Sequence, residues 1–331
     1  MDERQRGPRV VVLLLTSRCD ARCVMCRVWT RPAQDIDLDV ASRIASSCSM
    51  ASSIRYLTLS GGEPTLHPQL HSITELLLAP STGLQEIVLS TNALDVERTV
   101  GAAAHVLRCI GGRRIRFVAY VSLDAVGATH DEIRGRTGAF DCVERTISEL
   151  KRLFAVWPLA ELRINCVITK LNADGIGELL HYSDHVGVPV NISVASRTDS
   201  WIGSAACKAE WELGTREATA LRHFLRRAVA VSRLMRGRGA EPDYVSELLR
   251  VLEGQVRTLP CPFREHMGCF IEPWGDVYVC GMSREARLGS LSCMSLENIW
   301  KDACTWDRVL AGLSEHCRSC LSNCYVQVGS P

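Results

Sequence analysis

The sequence predicts an α/β fold, a partial (β/α)6 TIM-like barrel followed by a small cysteine-rich C-terminal domain, and three observations predict it. From Arg9 to about Ser196, apolar strand-sized runs alternate with segments of helical period, the alternation expected of a parallel sheet with crossover helices. Of the sixteen cysteines, three lie between Cys19 and Cys26 and eight between Cys261 and Cys324. After Pro260 the composition turns to cysteine and glycine with short strand-like runs such as Asp276–Val279.

The strands read Val10–Thr16, Tyr56–Ser60, Glu86–Thr91, Arg116–Leu123, Glu161–Thr169 and Val190–Ala195, with helices such as Leu38–Ser47, Leu70–Leu78, Phe140–Phe154 and Ile176–His185 between them. Six such units make a partial barrel, whose chemistry gathers at the C-terminal ends of its strands. We place this barrel at residues 1–204. An arginine-rich helical connector follows at 205–256, with Leu221, Phe224, Leu225, Ala228 and Val231 on one apolar stripe that reads as packing. A metal-stapled domain occupies 257–331, because a domain with little core needs a staple.

Lys+Arg 38 against Asp+Glu 37 leaves a formal charge of +1, which offers no basic field for nucleic acid or an acidic membrane surface. No apolar run is long enough to span a bilayer, and Val10–Leu15 is too short for a signal-peptide core, so the chain reads as cytoplasmic. There, sixteen cysteines do not form a disulfide framework, and they call for a metal. The five scattered ones, Cys48, Cys109, Cys142, Cys166 and Cys207, read as small buried apolar residues.

Cys19, Cys23 and Cys26 sit on one short loop directly after the first strand. Three thiolates can hold three irons of a cubane and leave the fourth without a protein ligand. A zinc site is the alternative, although zinc normally wants a fourth ligand and paired spacings. The second strand runs into Gly61-Gly62-Glu63-Pro64, which by itself is a turn.

Together these segments resemble the radical S-adenosylmethionine (SAM) superfamily, whose signature is Cys-x3-Cys-x-Φ-Cys after the first barrel strand and a GGEP motif after the second. The position usually aromatic in that family is Met25 here. The resemblance implies a [4Fe-4S] cluster on Cys19, Cys23 and Cys26, SAM near Gly61, Gly62 and Pro64, and Glu63 accepting from the SAM ammonium. Ser90, Asn92 and Ser122 at strand ends would face SAM or substrate, with Ser122 at the SAM carboxylate or ribose. Asn165 would contact SAM or be satisfied by neighbouring backbone, and Asp124 would point toward substrate or cap the next helix.

The C-terminal block resembles the SPASM and twitch domains appended to such enzymes. Cys261, Gly275 and Cys280 follow the Cys-x9–15-Gly-x4-Cys opening, and Cys317-x2-Cys320-x3-Cys324 comes after it. No cysteine follows Cys324, so the resemblance implies at least one auxiliary [4Fe-4S] cluster, assigned to Cys261, Cys280, Cys317 and Cys320 with Cys269 and Cys324 competing for those places. A zinc ribbon is the alternative for this block.

The resemblance implies an enzyme that generates a 5′-deoxyadenosyl radical for hydrogen abstraction, with a flavodoxin or ferredoxin as one-electron reductant. A first strand starting at Val10 leaves no room for a leader-peptide recognition domain, so a small-molecule substrate is expected, by analogy a carbohydrate or aminoglycoside intermediate in an antibiotic pathway. The surplus of C-terminal cysteines favours epimerisation, with Cys269 reaching over the barrel mouth as hydrogen donor. The alternatives are a dehydrogenase of a sugar or aminocyclitol, a peptide-modifying SPASM enzyme, and a non-enzymatic iron–sulfur or zinc scaffold.

Overall fold

The computed structural model describes residues 7–79, 83–195, 211–236, 244–313 and 317–322. Six parallel strands form the barrel: β1 Val10–Leu14, β2 Tyr56–Ser60, β3 Glu86–Thr91, β4 Arg116–Ser122, β5 Ala160–Ile168 and β6 Val190–Val194. They run in sequence order across an unclosed sheet. Between them lie α1 Leu38–Ser46, α2 Cys48–Ser53, α3 Leu70–Leu78, α4 Val96–Ile110, α5 Ala128–Arg134, α6 Ala139–Phe154 and α7 Ile176–Val186. β1 is buried almost throughout, as expected of a parallel strand covered on both faces.

The first strand ends earlier than its apolar run. Leu15 still donates to Ser60 O at 2.8 Å, but Thr16 turns to pair with Asp35, and its hydroxyl meets Asp35 Oδ1 at 2.5 Å. In β5 the pleat divides the residues cleanly. Leu162, Ile164, Cys166 and Ile168 are buried in the core, whereas Asn165 and Val167 face the barrel interior.

The connector contains α8 Thr215–Arg236 and α9 Tyr244–Leu252. Leu221, Leu225 and Val229 form the buried stripe at i, i+4, i+8 spacing, with Phe224 and Ala228 half-buried beside it. Residues 205–210, and the side chain of Val231, lie outside the described residues.

The C-terminal block does not stand apart from the barrel. β7 Gly268–Ile271 pairs in parallel with the free edge of β1, Val10 opposite Gly268 and Val11 opposite Cys269. β8 Asp276–Tyr278 and β9 Arg287–Ser290 then continue the same sheet in antiparallel sense. The nine strands described thus form one sheet, and the buried side chains on either side of residue 257 belong to one continuous core. α10 Leu296–Lys301 and α11 Ala303–Gly312 close this end, with Trp300 and Trp306 edge to face at 5.0 Å and Trp306 Nε1 donating to Trp300 O at 3.0 Å. No helix of the described residues is long and apolar enough to cross a membrane.

Leu221 is fully buried at the α8 stripe, so Leu221→Ala should cost about 3 kcal/mol through lost transfer energy and a cavity. Urea unfolding should show a lowered midpoint; an unchanged midpoint would mean that α8 does not anchor the connector.

Candidate active site

The loop after β1 is held from two sides by backbone. Gly62 and Glu63 donate their N–H groups to Thr16 O and Arg18 O at 2.6 and 2.7 Å. Gly61 has φ +144, and a Cβ on Gly62 would sit 2.2 Å from Arg18 O, so only glycine lets the chains touch here. On the other side, Arg22 and Val24 donate to Arg134 O and Ile133 O at 2.8 and 3.0 Å, at the end of α5. Gly135, with φ +61, ends that helix, and a Cβ there would meet Arg22 O at 2.5 Å.

This clamp presents Cys19, Cys23 and Cys26 to one cavity of about 410 Å³ at the C-terminal ends of the strands. Gly61, Gly62, Ser90, Asn92, Ser122 and Asn165 line the same cavity, so the structure brings most of the sequence-predicted residues together. The register explains how. Ser122 is the Cα partner of Asn165, and Asn165 that of Asn191, which makes a polar row across β4, β5 and β6. Asn191 Nδ2 donates to Asn165 Oδ1 at 3.1 Å. Asn191 and Ser193 complete this wall and were missed by sequence reading; inward alternation on β6 is the signal that could have found them.

Arg134 was also missed. Its guanidinium lines the cavity, lies 2.7 Å from Asp124 Oδ2 and donates toward Cys23 Sγ at 3.6 Å. Burial pushes the Cys23 thiol up, and the Arg134 charge works against that rise. Burial likewise pushes Cys19 and Cys26 up to about 12, with the neighbouring cysteines adding to it. Asn92 Nδ2 is 3.8 Å from Cys19 Sγ and donates to Asp20 at 2.7 Å.

Two of the expected residues do not line the cavity. Glu63 does not line the cavity: it is 1% exposed, and its carboxylate accepts from Thr65 N, Thr65 Oγ1, Thr91 Oγ1 and Asn92 N at 3.1, 2.7, 2.9 and 2.7 Å. Both oxygens are occupied in tying the second loop to the end of β3. Pro64 opens the buried 3-10 turn Pro64–Leu66 that carries these contacts. Asp124 likewise points away from the cavity. Its Oδ1 accepts from Val167 N at 2.9 Å while Oδ2 pairs with Arg134, and it does not cap α5.

In the C-terminal block, Cys261, Cys280, Cys317 and Cys320 come together. Burial, then the proximity of Cys320, Cys261 and Cys317, pushes Cys280 up to about 12. Backbone N–H groups of Met282 and Ser322 point at Cys280 Sγ and Cys320 Sγ, both at 3.4 Å. Arg257 fixes the strip that carries the last cysteines, donating to Cys320 O and Ser322 O at 3.1 and 2.8 Å. Met282 and Ser322 also line the barrel cavity, so this block forms part of its wall. Cys324 lies outside the described residues.

Cys269 is elsewhere. It sits in β7, 0% exposed and packed in the core, and burial raises its thiol to about 12. The expected reach over the barrel mouth is therefore corrected: parallel pairing with β1 points this side chain into the core and not into the cavity. Among the scattered cysteines, Cys166 is fully buried and Cys109 and Cys142 pack half-buried against the core.

Both thiol sets have the donor chemistry to fit the iron–sulfur clusters that the resemblance implies. Arg134, Met282 and Ser322 direct N–H groups at sulfurs of the two sets, as bound thiolates require.

A cysteine loop at the mouth of a partial β/α barrel, facing a cavity of mixed polar and apolar lining, defines a class of metal-binding barrel proteins. The family model of the radical SAM superfamily matches residues 13–181. The chain belongs to the radical SAM superfamily, enzymes whose cofactors are a [4Fe-4S] cluster and SAM, and its cysteine-rich C-terminal part is consistent with the SPASM/twitch resemblance. It is 32% identical over 187 residues to the AdoMet-dependent heme synthase of Methanosarcina barkeri, an alignment covering 55% of this chain and 48% of that protein. Mycofactocin maturase MftC of Mycobacterium tuberculosis is 24% identical over 329 residues, 92% of this chain and 73% of the maturase. The chain thus spans about half the length of the heme synthase and about three quarters of the maturase. Among solved structures, SuiB of Streptococcus suis bound to S-adenosylmethionine shares the fold with TM-score 0.63 at 16% identity, covering 92% of this chain and 68% of that one. The structure of anSMEcpe with bound AdoMet and Kp18Cys peptide does so with TM-score 0.64 at 17% identity, covering 94% and 85%.

Glu63→Ala leaves four buried donors without an acceptor, so stability should fall by on the order of 3 kcal/mol, and iron and SAM binding should decline together. Loss of SAM affinity at full iron content would restore the ammonium contact. Cys269→Ala, a small core truncation, should keep the wild-type product and the wild-type yield of 5′-deoxyadenosine; a changed product would return Cys269 to the chemistry.

Proposed function

We propose that Cys19, Cys23 and Cys26 hold the SAM-binding [4Fe-4S] cluster, that Cys261, Cys280, Cys317 and Cys320 hold an auxiliary one, and that the enzyme carries out a two-electron oxidation at an unactivated C–H bond of a neutral, hydrogen-bonding substrate. The single observation that carries this reading is the sharing of one cavity wall: Met282 and Ser322, whose N–H groups serve the second thiol set, line the same cavity as the first. When bound, the groups supply one electron to the SAM sulfonium, a deoxyadenosyl radical that takes a hydrogen atom from the substrate, and an acceptor for the electron the substrate radical gives up as its proton leaves to solvent.

The chain's own residues do the rest. Gly61, Gly62 and Ser90 leave room for SAM against the strand ends, and Arg134 and Ser122 offer charge-assisted and neutral donors to its carboxylate. Ser122, Asn165, Asn191 and Ser193 present amide and hydroxyl groups to the substrate. Arg134 is the one charged side chain that lines this cavity among the described residues, and hydroxyl and amide groups make up the rest of its polar wall. A second cavity of about 380 Å³ adjoins it past Val194, Met282 and Ser322, room for a substrate longer than a single sugar ring. Cys269, the expected hydrogen donor of an epimerase, is buried in the core, which supports the oxidation reading.

Two measurements test the reading. Cys19→Ala, Cys23→Ala and Cys26→Ala should each abolish 5′-deoxyadenosine formation while the protein keeps the iron of the C-terminal set; turnover by any of them would refute the cluster assignment. With substrate in deuterated water, mass spectrometry should find a product two hydrogens lighter, whereas one solvent deuterium on carbon at unchanged oxidation state would make the enzyme an epimerase.

A further inference from the structure

On the outer face of the barrel, away from the cavity, α3 and α4 bring together a set of side chains that the radical chemistry does not use. His71 and Glu75 are one turn apart on α3, and His105 and Cys109 are one turn apart on α4, so each pair shares one face of its helix. Cys109 Sγ lies 3.2 Å from His105 Nε2, and Glu75 Oε1 lies 3.6 Å from the same nitrogen. The His71 ring stacks on that of His105 at 3.9 Å with 11° between the planes, which fixes the imidazole's orientation.

Three readings compete. A cysteine–histidine–carboxylate relay requires the thiol and the carboxylate on opposite ring nitrogens, and here both meet Nε2. An ordinary packed histidine is satisfied by the contact of Nε2 with His71 O at 3.2 Å, yet one proton on that nitrogen leaves the thiol and the carboxylate converging on it without purpose. A shared cation explains the convergence. Ligand atoms around a tetrahedral zinc, with bonds of roughly 2.0–2.3 Å, stand about 3.3–3.6 Å apart. Glu75, His105 and Cys109 are the one trio of such side chains among the described residues whose ligand atoms all lie within 4.8 Å of one another.

We propose that Glu75, His105 and Cys109 form a zinc site that ties α3 to α4, distinct from both iron–sulfur sets. The nitrogen, oxygen and sulfur donors suit a borderline ion, and a thiolate with a carboxylate balances two positive charges beside Arg108 and Arg113. Zinc takes the place of the Cys109 thiol proton, and the His105 proton moves to Nδ1, freeing Nε2 as ligand. Glu75 is exposed and Cys109 half-buried, so the site opens to solvent for entry.

The test uses the enzyme with its clusters reconstituted, freed of loose metal and titrated with zinc chloride against a chromophoric chelator. Wild type should hold one more zinc per chain than His105→Gln or Cys109→Ser at equal iron content, and Glu75→Gln, an exposed substitution that leaves folding intact, should bind it at least tenfold more weakly. X-ray absorption at the zinc edge should show a single sulfur with nitrogen and oxygen neighbours, and zinc should raise the melting temperature of wild type only. SAM cleavage should be the same in all four proteins. Equal zinc in wild type and the variants, or an all-sulfur shell, would overturn the proposal.

Discussion

The structure depends on one constraint: the backbone of residues 16–24 is gripped between two other loops. Thr16 and Arg18 give their carbonyls to Gly62 and Glu63, while Arg22 and Val24 give their N–H groups to the end of α5. Each contact demands close approach, which is why glycine stands at 61, 62 and 135. Three thiols on a short loop would otherwise sample many arrangements. Here the ordering is supplied by β1, β2 and α5, which turn the three thiols toward one cavity.

Burial of these thiols disfavours their charged form, and the fold answers with directed partial and full charges. Arg134 stands beside Cys23, held by the fully buried Asp124, which in turn is fixed by Val167 N. His130 lies behind them with burial and Arg134 lowering it to about 2, so it stays neutral and adds no competing charge. The C-terminal set uses backbone instead, with the N–H groups of Met282 and Ser322 on its sulfurs. Arg257 and Glu247 pin the segments that carry it, Arg257 through the Cys320 and Ser322 carbonyls and Glu247 through Thr258 and Leu259.

Much of this was legible in the sequence. Strands β2 and β3 and helix α3 begin and end where the apolar pattern does, because parallel strands and amphipathic helices are written locally. The cysteine loop, Gly61, Gly62, Ser90, Asn92, Ser122 and Asn165 were legible from spacing and resemblance, and they do meet in one cavity. What was not legible depends on contacts distant in sequence. Nothing local distinguishes Arg134 from the chain's other arginines, since its burial comes from Asp124 and the cysteine loop. Cys269 looked like a cluster-loop residue because it follows Cys261 closely, yet pairing with a strand some 260 residues earlier sends it into the core. Glu63 carried the chemistry of a ligand group, and only the fold reveals its four hydrogen bonds to Thr65, Thr91 and Asn92.

The central claim is that the loop of Cys19, Cys23 and Cys26 alone holds a cluster with one iron open to SAM. Electron paramagnetic resonance of the dithionite-reduced Cys261→Ala/Cys280→Ala protein tests it most directly, because only the first set remains complete. The account predicts a reduced [4Fe-4S] signal whose g values shift on addition of SAM. A signal indifferent to SAM, or no cluster signal in this variant, would contradict it.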